Sequence, residues 1–219
     1  AFFQKDNQDF ILLSAMDITK VDLYETLKDQ FNKNLLIKFS NILAISIDKK
    51  KSKVFSSGHR NPQGLTVFKN VFLSTEHGPQ AGDEINKIEK GKKYGWPVVS
   101  YGEKYKRNKS NANPTYKKNH RKNGFEEPIF SFIPAIGISE IIKLPNNFSN
   151  LWQDNFLVAS LNGKYLYRVN FDENFSKIIY YEPIFIGDRI RDLMYNNNEK
   201  KIYLALELEG AIGIISNTK

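Results

Sequence analysis

Apolar residues in this chain recur at every second position, in short runs, rather than at the three-and-four spacing of a helix. Segments 10–15, 42–48, 71–75, 137–143, 155–160, 164–170, 178–186, 190–195, 201–206 and 211–216 read as strands. They are rich in Ile, Val, Phe and Tyr and are separated by Asn, Gly, Asp and Lys. Asn162-Gly163 predicts a tight hairpin, because a type I′ turn needs positive φ twice. Asn196–Asn198 predicts a second hairpin turn, and only segment 22–31 has the pattern of a short helix. The expected fold is all-β. About fifteen candidate strands at about four per blade suit a propeller of roughly four blades, with sandwich and barrel as the other architectures.

Composition narrows the class. The 219 residues suffice for one domain, and none of the apolar runs approaches the roughly 20 residues of a membrane span. The absence of Cys removes disulfide scaffolds, thiolate zinc sites and cysteine nucleophiles. The net charge of +8 is local: residues 87–122 carry +10, leaving −2 elsewhere. Residues 101–127 have few strand signals and are expected as a long basic loop on a single domain spanning 1–219. With 26 Lys against six Arg, the lysines are expected as solvated surface, and no nucleic-acid partner is expected.

Three polar segments interrupt the strands. In Gly58-His59-Arg60-Asn61-Pro62-Gln63-Gly64, Pro62 keeps Asn61 out of the helical region and the glycines permit bends. Such a turn aims Arg60 and Asn61 either at an anion or carbonyl, or at backbone carbonyls of the loop. Residues 76–86, EHGPQAGDEIN, put the hard oxygens of Asp83 and Glu84 near a Gly-Pro turn. That suits calcium; the alternative is a carboxylate capping a strand turn. Trp96, in Tyr94-Gly95-Trp96-Pro97, is expected as core filler. In Asp188-Arg189-Ile190-Arg191-Asp192 the two guanidiniums share a face and need an anion, or those aspartates, between them. Arg60, Arg189 and Arg191 are half the arginines of the chain.

GHRNPQGL, STEHGPQAGDEINKIEKGKKYGWPVVSYG and DRIRD, in that order, resemble the soluble quinoprotein glucose/sorbosone dehydrogenases, in particular the aldose sugar dehydrogenase branch. LWQDNFLVASLNGKYLYRV is similar to a later blade of that family. The resemblance runs from about Asn41 to the C-terminus. It implies a six-bladed β-propeller of which this chain is the C-terminal part. The implied function is pyrroloquinoline quinone (PQQ)- and calcium-dependent oxidation of the C1 hydroxyl of aldose sugars, with an unidentified electron acceptor. By resemblance Arg60, Asn61, His77, Tyr105, Ser139, Arg189 and Arg191 contact the quinone. Gly78 and Pro79 carbonyls match a calcium near the cofactor, and Glu84 and Tyr94 match a structural calcium.

The chain also departs from the family. The general-base His of the family is expected upstream of Ala1, so no catalytic residue is assigned here. Pro134-Ala-Ile-Gly-Ile-Ser139-Glu140 lacks a Pro and a Gly of the family stretch. Asn162 replaces a lysine that some members place near the cofactor. A non-catalytic propeller binding a carbohydrate or a protein is therefore the rival reading. The family implies a periplasmic or secreted protein.

Overall fold

The computed structural model describes residues 2–5, 8–15, 41–46, 51–105 and 115–217. The expected helix at 22–31 lies outside them. The strands form four antiparallel sheets, each a meander in chain order. The first holds β1 (Phe2–Lys5), β2 (Gln8–Ala15), β3 (Asn41–Ser46) and β4 (Lys51–Ser57). The second holds β5 (Pro62–Phe68), β6 (Val71–Glu76), β7 (Asp83–Ile88) and β8 (Phe130–Phe132). The third holds β9 (Ile138–Lys143), β10 (Phe156–Ser160), β11 (Tyr165–Phe171) and β12 (Ile178–Phe185), and the fourth β13 (Ile190–Asn196), β14 (Lys201–Leu206) and β15 (Ala211–Ser216).

The sheets pack face to face, and their first strands are neighbours: β5 against β9, and β9 against β13. That is the arrangement of propeller blades around an axis. Leu73, Ile85 and Phe132 of the second blade meet Phe156, Val158 and Val169 of the third. Leu157 and Leu166 of the third meet Ile190, Leu193, Ile202 and Leu204 of the fourth. β10 is buried on both faces, which is why Phe156–Ala159 is a continuous apolar run instead of an alternation. Each such Leu, Ile or Phe contributes on the order of 1.5–3 kcal/mol by leaving water.

The ten segments read as strands are all strands, to within one or two residues at most ends. β7 is buried on both faces, with Asp83, Glu84 and Asn86 buried beside Ile85 and Ile88, so its alternation is masked. The Asn162-Gly163 hairpin joins β10 to β11, but its turn is not type I′. Only Lys164 in it has positive φ, at 58°. The N–H groups of Leu161, Asn162 and Gly163 instead donate to the carbonyls of Gly137 and Ile136, so the loop is shaped by the segment it docks on.

Between β7 and β8 the chain makes a long excursion that includes the basic segment. Its described lysines are not only solvated. Lys118 donates to the carbonyls of Ser100, Tyr101 and Gly102 at 3.0, 3.2 and 2.7 Å and pairs with Glu103. Met194, Ile212 and Ile214 stay more than half exposed on the fourth blade. Among the described residues, no helix is long and apolar enough to cross a membrane.

Candidate functional site

The GHRNPQG and EHGP loops are joined through Glu76, the last residue of β6. Its Oε2 lies 3.1 Å from His59 Nδ1, and His59 Nε2 lies 2.8 Å from Ser56 Oγ. The His59 ring is fully buried and stacks on Tyr94 at 4.5 Å between centroids. Glu76 Oε1 accepts the backbone N–H of Arg60 and, at 3.2 Å, that of Asn61. The turn is entered through Gly58 at φ 78°, where a Cβ would stand 2.8 Å from the nitrogen of Gly95.

The two loops then bind each other. His77 N donates to Asn61 O at 3.0 Å, and Arg60 Nη1 donates to His77 O at 3.0 Å. Asn61 Nδ2 lies 3.3 Å from His77 Nδ1, an arrangement that leaves the ring proton on Nε2. Arg60 Nε and His77 Nε2 are both buried without a hydrogen-bond partner. Native proteins seldom leave such donors unmatched, so these two are poised for an acceptor atom. Both residues line a cavity of about 10 Å³, space for one oxygen atom or ion. Burial lowers the pKa of His77; the Asp83 charge and then the backbone of Ile138 pull it back up, and the charges of Arg60 and Arg191 lower it further.

Asp83 takes the capping alternative. Its Oδ1 accepts Gly78 N at 3.0 Å, and its Oδ2 accepts the N–H groups of Ile136 and Ile138, each at 3.0 Å. Ser139 is buried, donates to Ile190 O at 2.6 Å, and offers its own carbonyl to Thr75 Oγ1. The hydroxyl expected at the cofactor is thus spent between blades. Pro79 is buried beneath Gly102.

Arg189 and Arg191 are expected to face the cavity unpaired or to pair with Asp188 and Asp192. They do neither. Both converge on Glu207: Arg189 Nε at 3.0 Å from Oε1, Arg191 Nε at 3.0 Å and Nη2 at 2.5 Å from Oε2. These two hydrogen-bonded guanidiniums hold the Glu207 carboxyl below its ordinary range. Asp188 is occupied by the N–H groups of Arg189, Leu208 and Glu209.

Glu84 lies directly across from Glu76 in the β6–β7 register, and both are buried. Burial, and then the facing Glu76 charge, push the Glu84 carboxyl up to about 8. Its neighbours are Asn86 Nδ2 at 3.2 Å and His120 Nε2 at 3.5 Å. Two carboxylates in one buried row are costly unless a proton or a cation joins them. Glu84 also lines this small cavity, so a cation beside it has a donor set of its carboxyl and backbone oxygens, without Glu76, whose oxygens are already engaged. The Tyr94 hydroxyl is not part of it, since it donates to Lys87 O at 2.6 Å and accepts from Glu89 N. Among the described residues no cluster of three or more His, Asp and Glu has metal-binding spacing, so a cation would also need backbone oxygens.

Trp96 differs from its expected role as core filler. It is half-buried, with the Arg60 guanidinium 5.3 Å over its ring and Tyr116 5.2 Å away. Tyr105 is 42% exposed. Glu76, His120 and Glu207 were not singled out as site residues in the sequence. Glu76 immediately precedes His77, but it reads as the end of a strand.

Glu140 on β9 is a half-buried carboxyl, close to Gly64, where an added Cβ would stand 2.7 Å from its Oε1. Burial, and then the Asp192 charge, raise it to about 7 from an ordinary 4.5. A raised folded-state value stabilises the fold below about pH 4.5, and that stability is lost as pH rises through 7. Glu140→Gln should therefore match wild type at pH 4 and exceed it at pH 8, by at most on the order of 3 kcal/mol. Superimposable melting temperatures at both pH values would contradict this.

Antiparallel blades packed face to face, with a cluster of Arg, His and carboxylates between their loops, define a propeller with a candidate site. A family profile described as "Glucose / Sorbosone dehydrogenase" matches residues 40–213, and the chain belongs to that family. It is 32% identical to "Aldose sugar dehydrogenase YliI" of Escherichia coli K12 over 116 residues, 52% of this chain and 30% of that protein. Two solved structures share its fold. "Crystal structure of glucose dehydrogenase" has a TM-score of 0.76 at 23% identity, over 100% of this chain and 64% of that one. The PQQ-bound aldose sugar dehydrogenase of Streptomyces coelicolor has a TM-score of 0.58 at 22% identity, over 91% and 52%. The matched region is about a third of the length of the curated relatives.

Proposed function

We propose that this chain supplies the PQQ and calcium cradle of an aldose sugar dehydrogenase that oxidises the C1 hydroxyl. The observation that carries this reading is the pair of buried, unmatched donors, Arg60 Nε and His77 Nε2, in the turn that resembles the family's cofactor loop. The cavity there is far too small for a tricyclic quinone, but it admits one oxygen of a larger anion seated outside. Bound PQQ would supply the two-electron acceptor for the sugar. Arg60, Asn61, His77, Arg189 and Arg191 would neutralise and orient its carboxylates and carbonyls, and Tyr105 would cover its face. The carbonyls of Gly78 and Pro79 would hold a calcium near the cofactor, and Glu84 with the backbone oxygen of Tyr94 a structural calcium.

A base for the C1 hydroxyl proton is not assigned within the described residues, because His59 is locked between Ser56 and Glu76 and His120 lies between Glu84 and Glu127. The electron acceptor is a separate molecule. The reading includes export to the periplasm or beyond. A second reading, a propeller that binds carbohydrate or protein without a quinone, is favoured by the closure of Arg189 and Arg191 on Glu207. Adding PQQ with calcium chloride and recording the quinone absorbance separates the two. Saturable binding with a shifted quinone spectrum is expected; an unaltered spectrum of free PQQ would refute the dehydrogenase reading.

A further inference from the structure

We infer that Glu76 is the positioning residue of the site: one carboxylate that fixes the Arg60–Asn61 turn for its anionic ligand. The inference rests on the cofactor reading for what the ligand is, but not for what Glu76 does. Three donors converge on this side chain: His59 Nδ1 on Oε2, and the backbone N–H groups of Arg60 and Asn61 on Oε1. The first is held from behind by Ser56 and by the Tyr94 ring. The other two belong to the residues whose side chains reach His77.

Consecutive N–H groups on one acceptor oxygen fix the peptide planes on both sides of the Arg60 Cα. The direction of that side chain is therefore set before any ligand arrives. Glu76 is only 5% exposed and both its oxygens are engaged by these donors, so it shapes the site through the turn rather than as a ligand contact. Its charge is matched by donors on three sides, which is what lets a carboxylate stay buried beside Glu84.

The position of one oxygen atom is what matters, and variants can separate that from charge and volume. Glu76→Gln keeps Oε1 in place. Glu76→Asp keeps the charge but withdraws the oxygen, and Glu76→Met keeps the volume but has no oxygen. Amide hydrogen exchange at Arg60 and Asn61, measured on the chain without ligand, reads the turn directly. PQQ titration in calcium chloride reads its consequence.

In wild type and Glu76→Gln both amides should be protected and PQQ affinity should agree within about threefold. In Glu76→Asp and Glu76→Met, exchange at these two amides should quicken at least tenfold and PQQ affinity should fall at least tenfold. If Glu76→Met does not fold, the Asp and Gln variants decide. Glu76→Asp behaving as wild type in both readouts would overturn the inference. So would a lowered melting temperature with exchange at these amides and affinity unchanged, since that is a structural role alone. A wild type that ignores PQQ but shows the expected exchange pattern refutes the cofactor reading and supports the positioning of the turn.

Discussion

Arg191→Lys is expected to weaken PQQ binding about ten- to a hundredfold while barely moving the melting temperature. A charge-assisted bond to a carboxylate contributes on the order of 1.5–3 kcal/mol, which corresponds to that range of affinity. An ammonium keeps the charge but cannot form the two-point fork that a guanidinium offers a carboxylate. Stability should change little, because the pair with Glu207 is solvent-exposed, and exposed ion pairs are worth little. Glu207 makes the test two-sided. It already holds both guanidiniums, so a carboxylate ligand must compete with it. Glu207→Gln should then tighten PQQ severalfold where Arg191→Lys loosens it. If Glu207→Gln weakens binding, or Arg191→Lys lowers stability with affinity unchanged, the arginines are structural and the assignment fails.

Calcium should raise the melting temperature by roughly 5–10 °C when present at about a hundred times its dissociation constant, and EGTA should reverse the rise. The reason lies in the facing pair Glu76 and Glu84. Without a cation, the Glu84 carboxyl is pushed up to about 8 and near neutral pH is held mainly in its protonated form. A cation beside Glu84 would replace that proton and draw its carboxylate into use. Glu84→Gln imitates the protonated form, so it should fold at pH 7 as well as the calcium-free wild type and ignore both calcium and EGTA. A wild-type melt indifferent to calcium, or a Glu84→Gln variant that still responds, would remove the site from these residues.

The blades were legible because their outward strands obey a period of two and their turns are rich in Asn and Gly. The turn at Asn162-Gly163 was misjudged because its geometry is set by carbonyls of Ile136 and Gly137, some 25 residues earlier in sequence and invisible to any local rule. The site divides the same way. Arg60, His77, Glu84 and the DRIRD arginines stand out as polar residues in turn-rich segments. Glu76 and Glu207 do not, because nothing in their own neighbourhoods distinguishes a carboxylate receiving three donors, or two guanidiniums, from one in water. Their roles come from register and from hydrogen bonds spanning 15–18 residues. Trp96 followed the common behaviour of its residue type in the sequence; a guanidinium from another blade connection made it a platform instead.

The bonds that tie the blades together near the axis also bear on how the molecule reaches its native state. Thr75 reaches Ser139, 64 residues on; Asp83 reaches Ile136 and Ile138, 53 and 55 residues on; Ser139 reaches Ile190, 51 residues on. Each closes a long loop, whose entropy must be paid before the contact returns anything. A single blade can form from hairpins, but it brings only one wall of the site with it. The second blade holds Arg60 and His77 at its edge, the third supplies the N–H groups that Asp83 anchors, and the fourth carries Arg191. The small cavity, lined by residues between 58 and 120, therefore comes with the second blade and its connections. Arg191 joins only when the fourth blade docks, so the complete site is a late product of folding.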